Sequence, residues 1–378
     1  MKPLLVVVAI LCISCTAEKS PRSTTIDSTD SASVTLSYAT GFSITKHNEF
    51  TEVEVKQPFN GATKGFRYYL IKEGQEIPEK IRNEKVIRTP VKSIVCTSTT
   101  HIPLLDYINE TEKLIGFPTT DYISSEKARA LVDAGKVKDL GIDKGLNLEL
   151  LVSIRPQLVM GYTMSADYGQ FAKIEELGVP VVINSEYLEK HPLGRAEWIK
   201  FVAAFFDKDS LANAVFQSIE KSYLETTTLV SNVQKKPTVL SGIIYGDAWF
   251  LPGGKNYAAR ILDDAGCDYL WKTDSTNGYL ELSFESVYDR AKLADLWIGV
   301  GPYTSLTEIA AGDHRYAKFR PFASKNVYNY DARKGAKGGN EFLELGYLRP
   351  DLILKDLVKI AHPEVMPDHQ LYFHRKLE

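Results

Sequence analysis

The sequence lacks an excess of charge of either sign. Its 378 residues carry 45 lysines and arginines against 48 aspartates and glutamates, which gives a net charge of −3. Proteins that bind nucleic acid through its phosphates usually present a strongly basic face, so this balance argues against a nucleic-acid partner. Three common catalytic signatures are also absent, namely G-x-S-x-G, G-x-x-x-x-G-K and H-E-x-x-H. These absences argue against the commonest hydrolase and nucleotide-binding classes.

Cysteine is scarce, with 4 in the whole chain. Two of them, Cys12 and Cys15, lie close to the N-terminus. The other two, Cys96 and Cys267, each lie beside a strand-like run in a different half of the chain. Two isolated cysteines are more often small core residues than a bridge, so we expect no structural disulfide.

Long hydrophobic runs are lacking as well. The N-terminal "MKPLLVVVAILCISC" has a basic residue at Lys2 and an apolar run that is too short to span a bilayer. This layout predicts a secretory signal peptide over residues 1–14, with an uncleaved anchor or a disordered start as the alternatives. Ser14 followed by Cys15 resembles the lipobox of bacterial lipoproteins, and the resemblance implies that Cys15 is lipidated. The departure from that pattern is Cys12, where the family usually has Leu.

A segment rich in Ser and Thr follows the predicted cleavage site. "TAEKSPRSTTIDSTDSAS" has few apolar residues and none in a periodic pattern, so it cannot bury enough surface to offset the entropy of ordering it. We expect residues 15–33 to form a flexible tether with a mean reach of roughly 25 Å. Together with the lipid, the tether would hold the folded body on the periplasmic or cell-surface side of a bacterial membrane.

The remainder of the chain predicts an α/β fold with two lobes. Residues 34–90 alternate apolar and polar side chains around a turn at "NGATKG", which predicts a small β-rich extension. In residues 91–194, and again in residues 237–378, short apolar runs alternate with helical intervals. This alternation predicts an N-terminal and a C-terminal lobe, each with a parallel sheet flanked by helices.

Residues 195–236 predict a helical region that contains one long helix between the lobes. Asp209 or Ser210 is the expected N-cap, and neither Gly nor Pro interrupts the segment before Pro237. About 25 helical residues would extend roughly 37 Å and would join the lobes more stiffly than a hinge of loops. The apolar positions that define the predicted face are Leu211, Val215, Ile219, Tyr223, Leu229 and Val233.

Two segments of the chain repeat nearly the same pattern. "NLELLVSIRPQLVMG" begins at Asn147 and "SFESVYDRAKLADLWIGVG" begins at Ser283. Each predicts a helix with that first residue as its N-cap, and each places a glutamate two residues later, at Glu149 and Glu285. A glutamate in the first turn complements the helix dipole, so a purely local role for both residues remains open.

This organisation resembles the substrate-binding proteins of bacterial ABC importers for ferric siderophores, haem and cobalamin. The phrase N-x-E…P-x-L-V is similar to a segment of that family's N-terminal lobe. "PGGKNYAARILDDAG", "SFES" and "GGNEFLELGYLRPDLILKDLVKIAHPE" are similar to segments of its C-terminal lobe, so the resemblance covers roughly residues 88–375. It implies a monomeric lipoprotein without catalytic activity or cofactor, which delivers a metal chelate to a permease dimer. It also implies that Glu149 and Glu285 pair with arginines of the two permease subunits.

The ligand is expected between the lobes, over the carboxyl ends of the parallel strands, where open α/β sheets leave a crevice. Aromatic rings there would contact a corrin or haem macrocycle or a catecholate, and an arginine would suit an anionic ferric siderophore. The predicted ligand-binding residues are Thr99, His101, Tyr122, Tyr162, Tyr168, Tyr245, Trp249, Tyr303 and Arg333.

Two other interpretations remain open from the residues alone. A receptor for a bare metal ion needs three or four converging ligands, but His101, His191 and His314 are scattered along the chain. An enzyme acting on a chelate would convert a porphyrin or hydrolyse a chromogenic ester, whereas a binding protein would leave the compound unchanged. His369 and His374 are close in sequence, but they lie in a C-terminal tail, where we expect them to be solvated.

Overall fold

The computed structural model describes residues 31–143, 145–165 and 168–378. The predicted signal peptide, Cys15 and most of the predicted tether therefore lie outside the described residues. Within these three ranges, no helix is both long enough and apolar enough to cross a membrane.

A sheet of five strands precedes the two lobes. Its strands are β1 (Ser31–Ser33), β2 (Phe42–His47), β3 (Thr51–Val55), β4 (Phe66–Lys72) and β5 (Val86–Thr89). They pair in chain order, antiparallel from β1 to β4 and parallel between β4 and β5. Alternation along the strands places Phe42, Ile44, Val53 and Val55 on the buried face. Because β1 begins at Ser31, the last three residues of the predicted tether belong to this sheet.

The N-terminal lobe is built on a parallel sheet of five strands. Its elements are β6 (Ile94–Cys96), α1 (His101–Tyr107), β7 (Leu114–Phe117), α2 (Glu126–Asp133), β8 (Lys138–Asp139), β9 (Gly141–Ile142), β10 (Gly145–Leu146), α3 (Leu148–Ser153), β11 (Leu158–Gly161), α4 (Gly169–Glu176) and β12 (Val181–Ile183). The order in the sheet is β12-β11-β6-β7-β8, and β9 and β10 form a separate antiparallel pair. The central strands β6 and β11 are buried throughout, as expected for strands covered on both faces.

Three helices connect the lobes, namely α5 (Pro192–Glu197), α6 (Ile199–Ala204) and α7 (Asp209–Val230). With 22 residues, α7 extends about 33 Å and is the predicted long helix. It begins beside the N-terminal sheet, where Lys46 Nζ lies 2.5 Å from a carboxylate oxygen of Asp209. Farther along, the hydroxyl of Tyr223 donates to Asp264 in the C-terminal lobe at 2.7 Å.

The buried face of α7 differs from the predicted one. Leu211 and Val215 are only half-buried, and Leu229 is exposed. Four-residue steps drift around a helix of 3.6 residues per turn, whereas alternating steps of four and three stay on one side. Asp209 is the first helical residue and not the N-cap, which is Lys208. The residues that α7 buries are Ala212, Phe216, Ile219, Tyr223, Thr226 and Val230.

The C-terminal lobe repeats this architecture. Its elements are β13 (Thr238–Ser241), β14 (Ile243–Tyr245), β15 (Ala248–Pro252), α8 (Tyr257–Asp264), β16 (Asp268–Tyr269), β17 (Tyr279–Leu282), α9 (Phe284–Ala291), β18 (Leu296–Ile298), α10 (Leu306–Gly312), α11 (Arg320–Ala323), β19 (Val327–Asn329), α12 (Glu341–Leu345), α13 (Pro350–Ala361) and β20 (Arg375–Lys376). The main sheet has the order β16-β13-β18-β19-β20 and is parallel except for β20. Strands β14, β15 and β17 form a separate antiparallel sheet. The predicted fold class, two α/β lobes joined by a long helix after a β extension, is confirmed.

The two repeated segments occupy corresponding places in the two lobes. Asn147 and Ser283 each accept a hydrogen bond from a backbone N–H three residues later, so both predicted N-caps are confirmed. The helices that they cap, α3 and α9, each lead into a parallel strand of their own lobe. Glu149 and Glu285 are the second residues of these helices, and both are exposed.

Candidate functional site: a cleft between the lobes

A cleft of about 870 Å³ lies between the two lobes. Its N-terminal wall includes Ser98 and Tyr162, which follow strands β6 and β11. Its C-terminal wall includes Gly299 and Tyr330, which follow strands β18 and β19. These positions are the carboxyl ends of parallel strands, where the crevice of an open α/β sheet is expected.

Tyrosine is the most frequent residue type among the described residues that line this cleft. Tyr330 stacks on Phe342, with ring centroids 4.5 Å apart and planes inclined by 22°. Tyr257 meets Tyr347 edge-on, with centroids 5.9 Å apart. Such rings offer broad apolar faces with a hydroxyl at one edge. The tyrosines that line the cleft, among the described residues, are Tyr162, Tyr187, Tyr257, Tyr279, Tyr330 and Tyr347.

Several of these phenols are held in the protonated form. Burial, followed by the nearby carboxylate of Asp143, raises the pKa of Tyr162 to about 12. The Tyr162 hydroxyl donates to a carboxylate oxygen of Asp143 at 3.0 Å. Burial likewise raises the pKa values of Tyr257 and Tyr330. At neutral pH these groups are hydrogen-bond donors and carry no charge.

Arg195 places a fixed positive charge in the cleft wall. It lies on α5, and its Nη2 and Nε donate to the backbone carbonyls of Tyr187 and Glu189 at 2.9 and 3.2 Å. Its Cζ atom lies 4.1 Å from the ring centre of Tyr257 and 4.7 Å from that of Tyr347. A guanidinium over aromatic faces is favoured by the ring quadrupoles, and its planar shape suits this stacking. Arg195 therefore holds these two tyrosines of the C-terminal lobe in place.

Two glutamates in the wall differ in how their oxygens are used. Glu186 Oε1 accepts from the hydroxyl of Thr100 at 2.6 Å, whereas its buried Oε2 has no hydrogen-bond partner among the described residues. Burial raises the pKa of Glu186. Glu189, in contrast, accepts from the backbone N–H groups of Thr40 and Gly41 at 2.8 and 2.7 Å, so its carboxylate holds the fold together.

Of the predicted ligand-binding residues, Tyr162 lines the cleft. Thr99 is half-buried just before α1 and does not, although its neighbours Ser98 and Thr100 do. His101 is completely buried beneath them, and burial lowers its pKa to about 3. Its neutral ring belongs to the core of the lobe.

Trp249 and Tyr245 do not lie where the sequence predicted. Trp249 is fully buried, its indole N–H donates to the carbonyl of Ser241 at 3.0 Å, and its ring stacks on Trp297. The apolar run "TVLSGIIYG" has the pattern of one continuous strand, but Gly242, with φ at 78°, turns the chain out of the main sheet. The chain continues as the antiparallel β14–β15 hairpin, which leaves Tyr245 exposed at its tip and outside the cleft lining.

Tyr122 and Arg333 also lie outside the cleft lining. The Tyr122 side chain is exposed on a short turn after β7. Arg333 Nε lies 2.7 Å from a carboxylate oxygen of Glu341, and its guanidinium covers the ring of Tyr372. Both of its favourable interactions are therefore made within the C-terminal lobe.

Tyr168 and Tyr303 are occupied by packing away from the cleft. The Tyr168 ring lies against Phe66 and Phe171, with centroids 5.5 and 5.7 Å apart. The Tyr303 ring meets Tyr316 edge-on at 6.2 Å. Neither residue lines the cleft.

Only some of the cleft residues that were not predicted can be recognised from the sequence. Tyr330 directly follows β19, and Tyr187 follows β12 after three residues, so both satisfy the strand-end criterion. Arg195 and Tyr257 lie on helices, and their position in the cleft depends on how α5 and α8 pack across the lobe boundary. No local pattern marks such residues.

His369 and His374 are not solvated, in contrast to the prediction. Both rings bond to the buried carboxylate of Asp356, at 2.8 Å from His369 Nε2 and 3.1 Å from His374 Nδ1. Burial opposes ionisation of Asp356, but these bonds and those from backbone N–H groups outweigh it and hold the pKa of Asp356 well below its usual range. The charged carboxylate of Asp356, on α13, thus holds the C-terminal tail in place.

The described residues contain no group of three or more His, Cys, Asp or Glu side chains that could hold a metal ion. Cys96 and Cys267 are buried free thiols in different lobes.

Two α/β lobes, a long connecting helix and a cleft at the strand ends define a solute-binding protein of the two-lobe type. The chain belongs to the periplasmic binding protein family, whose model matches residues 94–334. Members of this family bind solutes outside the cytoplasm for ABC importers.

The relatives and solved structures agree with this assignment. An uncharacterized lipoprotein of Methanocaldococcus jannaschii is 26% identical over 365 residues, covering 90% of this chain and 85% of its own. Helicobacter pylori CeuE with Ni(II) bound has a TM-score of 0.58 at 18% identity, covering 75% of this chain and 88% of that one. The periplasmic haem-binding protein RhuT of Roseiflexus has a TM-score of 0.54 at 14% identity, covering 73% and 100%. At these identities the two solved structures show a shared fold.

Proposed function

We propose that the protein is a monomeric, lipid-anchored substrate-binding protein that captures a metal chelate between its lobes and delivers it to an ABC importer permease dimer. The chelate is a ferric siderophore, a haem or a cobalamin-type corrinoid. Cys15 carries the lipid, which holds the protein on the periplasmic or cell-surface side of the membrane. The protein releases its ligand chemically unchanged.

The composition of the cleft is the observation that carries this proposal. Its volume of about 870 Å³ lies within the range of roughly 300–1,000 Å³ that is typical of small-molecule sites. Rings such as Tyr279, Tyr330 and Tyr347 provide wide apolar contact for a macrocycle or catecholate, and their hydroxyls can bond to its edge. Arg195 adds a positive charge that suits a carboxylate or an anionic chelate.

Two solved structures with this fold support a chelate as the ligand. RhuT is described as a haem-binding protein, and a second CeuE structure is described as a Ni-His complex. The described residues of this chain offer no cluster for a bare metal ion, so a ligand whose metal is already coordinated suits the cleft better.

A panel of coloured chelates tests the proposal. The purified protein is titrated with hemin, cyanocobalamin and a ferric tris-catecholate while the intrinsic tyrosine and tryptophan fluorescence is followed. We expect saturable, one-to-one quenching by one class of chelate, which is then recovered unchanged after denaturation of the protein. Conversion of the bound chelate, or failure to bind any member of the panel, would contradict the proposal.

A further inference from the structure

The N-terminal sheet reaches the cleft through one loop. Residues 56–65 connect β3 to β4 and are called the β3–β4 loop here. Two of its residues, Gln57 and Asn60, line the cleft. Residues 31–93 precede the segment matched by the family model, so this part of the wall comes from outside that segment.

Two carboxylates attach the N-terminal sheet firmly to the body of the protein. Glu197 is completely buried and accepts from the backbone N–H groups of residues 37–39 at 2.8–3.1 Å. Glu189 accepts from the next two backbone N–H groups at 2.8 and 2.7 Å. Hydrogen bonds to a charged acceptor are about twice as strong as neutral ones. The sheet therefore has a fixed position relative to the cleft.

The start and the end of the β3–β4 loop are fixed as well. The N–H of Lys56 donates to the carbonyl of Gly41 at 2.8 Å, which ties the loop to the turn that Glu189 holds. At the other end, a Cβ atom on Gly65 would lie 2.5 Å from the carbonyl oxygen of Val55, so the strands approach closely only because residue 65 is glycine. The loop thus leaves the sheet in a defined direction.

The middle of the loop contacts a tyrosine of the cleft wall. The Asn60 backbone lies near the Tyr187 hydroxyl, where it favours the ionised form, although burial dominates and raises the pKa of Tyr187. The same hydroxyl donates to the carbonyl of Thr163 at 2.7 Å. Tyr187 therefore lies between the β3–β4 loop and the segment that follows β11, and all three parts line the cleft.

We propose that the β3–β4 loop is a third wall of the ligand site and that it determines which chelates are bound. The side chains of Gln57 and Asn60 are exposed and carry amides, each of which can donate and accept hydrogen bonds without bringing a charge. The tyrosine rings cover the faces of a chelate, whereas the amides bind polar groups at its edge, such as amides, carboxylates or hydroxyls. This inference rests on the proposed function, because it concerns the same cleft.

The experiment compares two pairs of substitutions in the full-length protein. The test variant combines Gln57→Ala and Asn60→Ala. The control variant combines Asn48→Ala, in the turn at the opposite end of β3, with Gln75→Ala, in the turn after β4, and neither residue lines the cleft. All four side chains are neutral amides, so both variants lose the same chemical groups.

The ligands are hemin, cyanocobalamin and a ferric tris-catecholate. For the probe that the unaltered protein binds most tightly, we expect the test variant to lose about tenfold in affinity, mainly through faster dissociation. The control variant should keep the full affinity, and both should unfold at the same temperature as the unaltered protein. Binding of that probe should also protect residues 56–65 from hydrogen exchange.

The outcomes separate this inference from the proposed function. If a probe binds and the test variant matches the unaltered protein in affinity and exchange, the loop is not part of the site. If the unaltered protein binds none of the three probes, the proposed function itself fails, and the role of the loop fails with it.

Discussion

The Oε1 atom of Glu344, on α12, lies 2.7 Å from the backbone nitrogen of Ser125, the N-cap of α2, so this hydrogen bond joins the two lobes. The Oε2 atom accepts from the backbone nitrogen of Ser124 at the same distance. Burial raises the pKa of Glu344 to about 7, although both hydrogen bonds favour the charged form. The contact between the lobes thus includes a carboxyl group that titrates near neutral pH.

This titration predicts a pH-dependent free energy of unfolding. Because the pKa of Glu344 is higher in the folded protein than its ordinary value of 4.5, the folded state binds more protons between these two values. Its contribution to stability is therefore greatest below pH 4.5 and is lost as the pH rises to about 7, by an amount on the order of 3 kcal/mol. Urea unfolding at pH 5 and pH 8 measures the change.

The variant Glu344→Gln isolates this group. We expect its free energy of unfolding to change less between pH 5 and pH 8 than that of the unaltered protein. The variant Glu341→Gln, on the same helix, is the control and should keep the original pH dependence. Equal pH dependence in the Glu344 variant and the unaltered protein would show that Glu344 is charged throughout this range.

Arg195 is expected to matter through its shape as well as its charge. In the variant Arg195→Lys, the ammonium cannot stack on Tyr257 and Tyr347 while also donating to two backbone carbonyls. We expect the affinity for the preferred chelate to fall about tenfold, because both rings lose the group that orients them. Fluorescence titration measures the dissociation constant.

The matched control is Arg290→Lys. Arg290 also covers an aromatic ring, that of Trp271 at 5.3 Å, but it lies outside the cleft lining. Its variant should bind the chelate with unchanged affinity. Equal affinity in the Arg195 variant would mean that these two tyrosines do not need the guanidinium in order to bind ligand.

More of the fold than of the site can be predicted from the sequence. The long helix α7 was predicted because its apolar pattern and its lack of Gly and Pro are local properties. Tyr162 was predicted because it directly follows a strand that the sequence marks clearly. Both inferences need nothing beyond the immediate neighbours in the chain.

The rest of the site depends on contacts that are distant in sequence. Tyr257 and Arg195 are 62 positions apart by their numbers, and they meet only because α5 and α8 pack together. The sequence predicts Trp249 as a ligand-binding residue only if the chain runs straight through Gly242, whereas the turn there brings the indole N–H to a carbonyl in the core. A buried partner of this kind cannot be inferred from composition.

Asp356 is predicted to stabilise the C-terminal tail strongly. In Asp356→Asn, the amide cannot accept all the hydrogen bonds from His369, His374 and the backbone, and it brings a donor towards other donors. We expect a loss of about 3–5 kcal/mol in the free energy of unfolding at pH 7. Urea unfolding measures it.

The effect of Asp356 should also depend on pH. Because its pKa is held below the ordinary value of 3.8, its stabilisation is present above that value and disappears as the pH falls through the folded pKa. The difference from Asp356→Asn should therefore shrink in strong acid. Asp368→Asn changes an exposed carboxylate in the same tail and should cost little. A similarly small cost for both substitutions at pH 7 would contradict the structural role of Asp356.

Ligand binding is expected to change the overall shape only slightly. Hinge closure needs a few residues that absorb large backbone changes, whereas α7 is a continuous helix between the lobes. The lobes also touch directly, since Arg349 Nη1 lies 3.0 Å from the hydroxyl oxygen of Tyr107. The radius of gyration from X-ray scattering should change by less than about 1 Å on saturation with the preferred chelate. A contraction of several Å would show that the lobes move as hinged bodies.

Glu149 and Glu285 are predicted to act in transport rather than in ligand binding. Both are exposed at the second position of a capped helix, one on each lobe, so each can reach one subunit of a two-fold permease. Glu149→Gln combined with Glu285→Gln should leave the affinity for the chelate unchanged, because neither residue lines the cleft. Uptake by cells that carry the importer should fall sharply, since each lobe loses a charged contact.

The size of the effect follows from the exposure of these groups. Exposed ion pairs contribute only about 0–1 kcal/mol each, so either single substitution should do little and the double substitution more. Higher salt should weaken docking of the unaltered protein to permease in membranes for the same reason. The control is the pair Glu112→Gln and Glu364→Gln, which removes one exposed carboxylate from each lobe away from these helix starts. If the double variant of Glu149 and Glu285 folds, binds and transports like this control, the two glutamates serve only their helix dipoles.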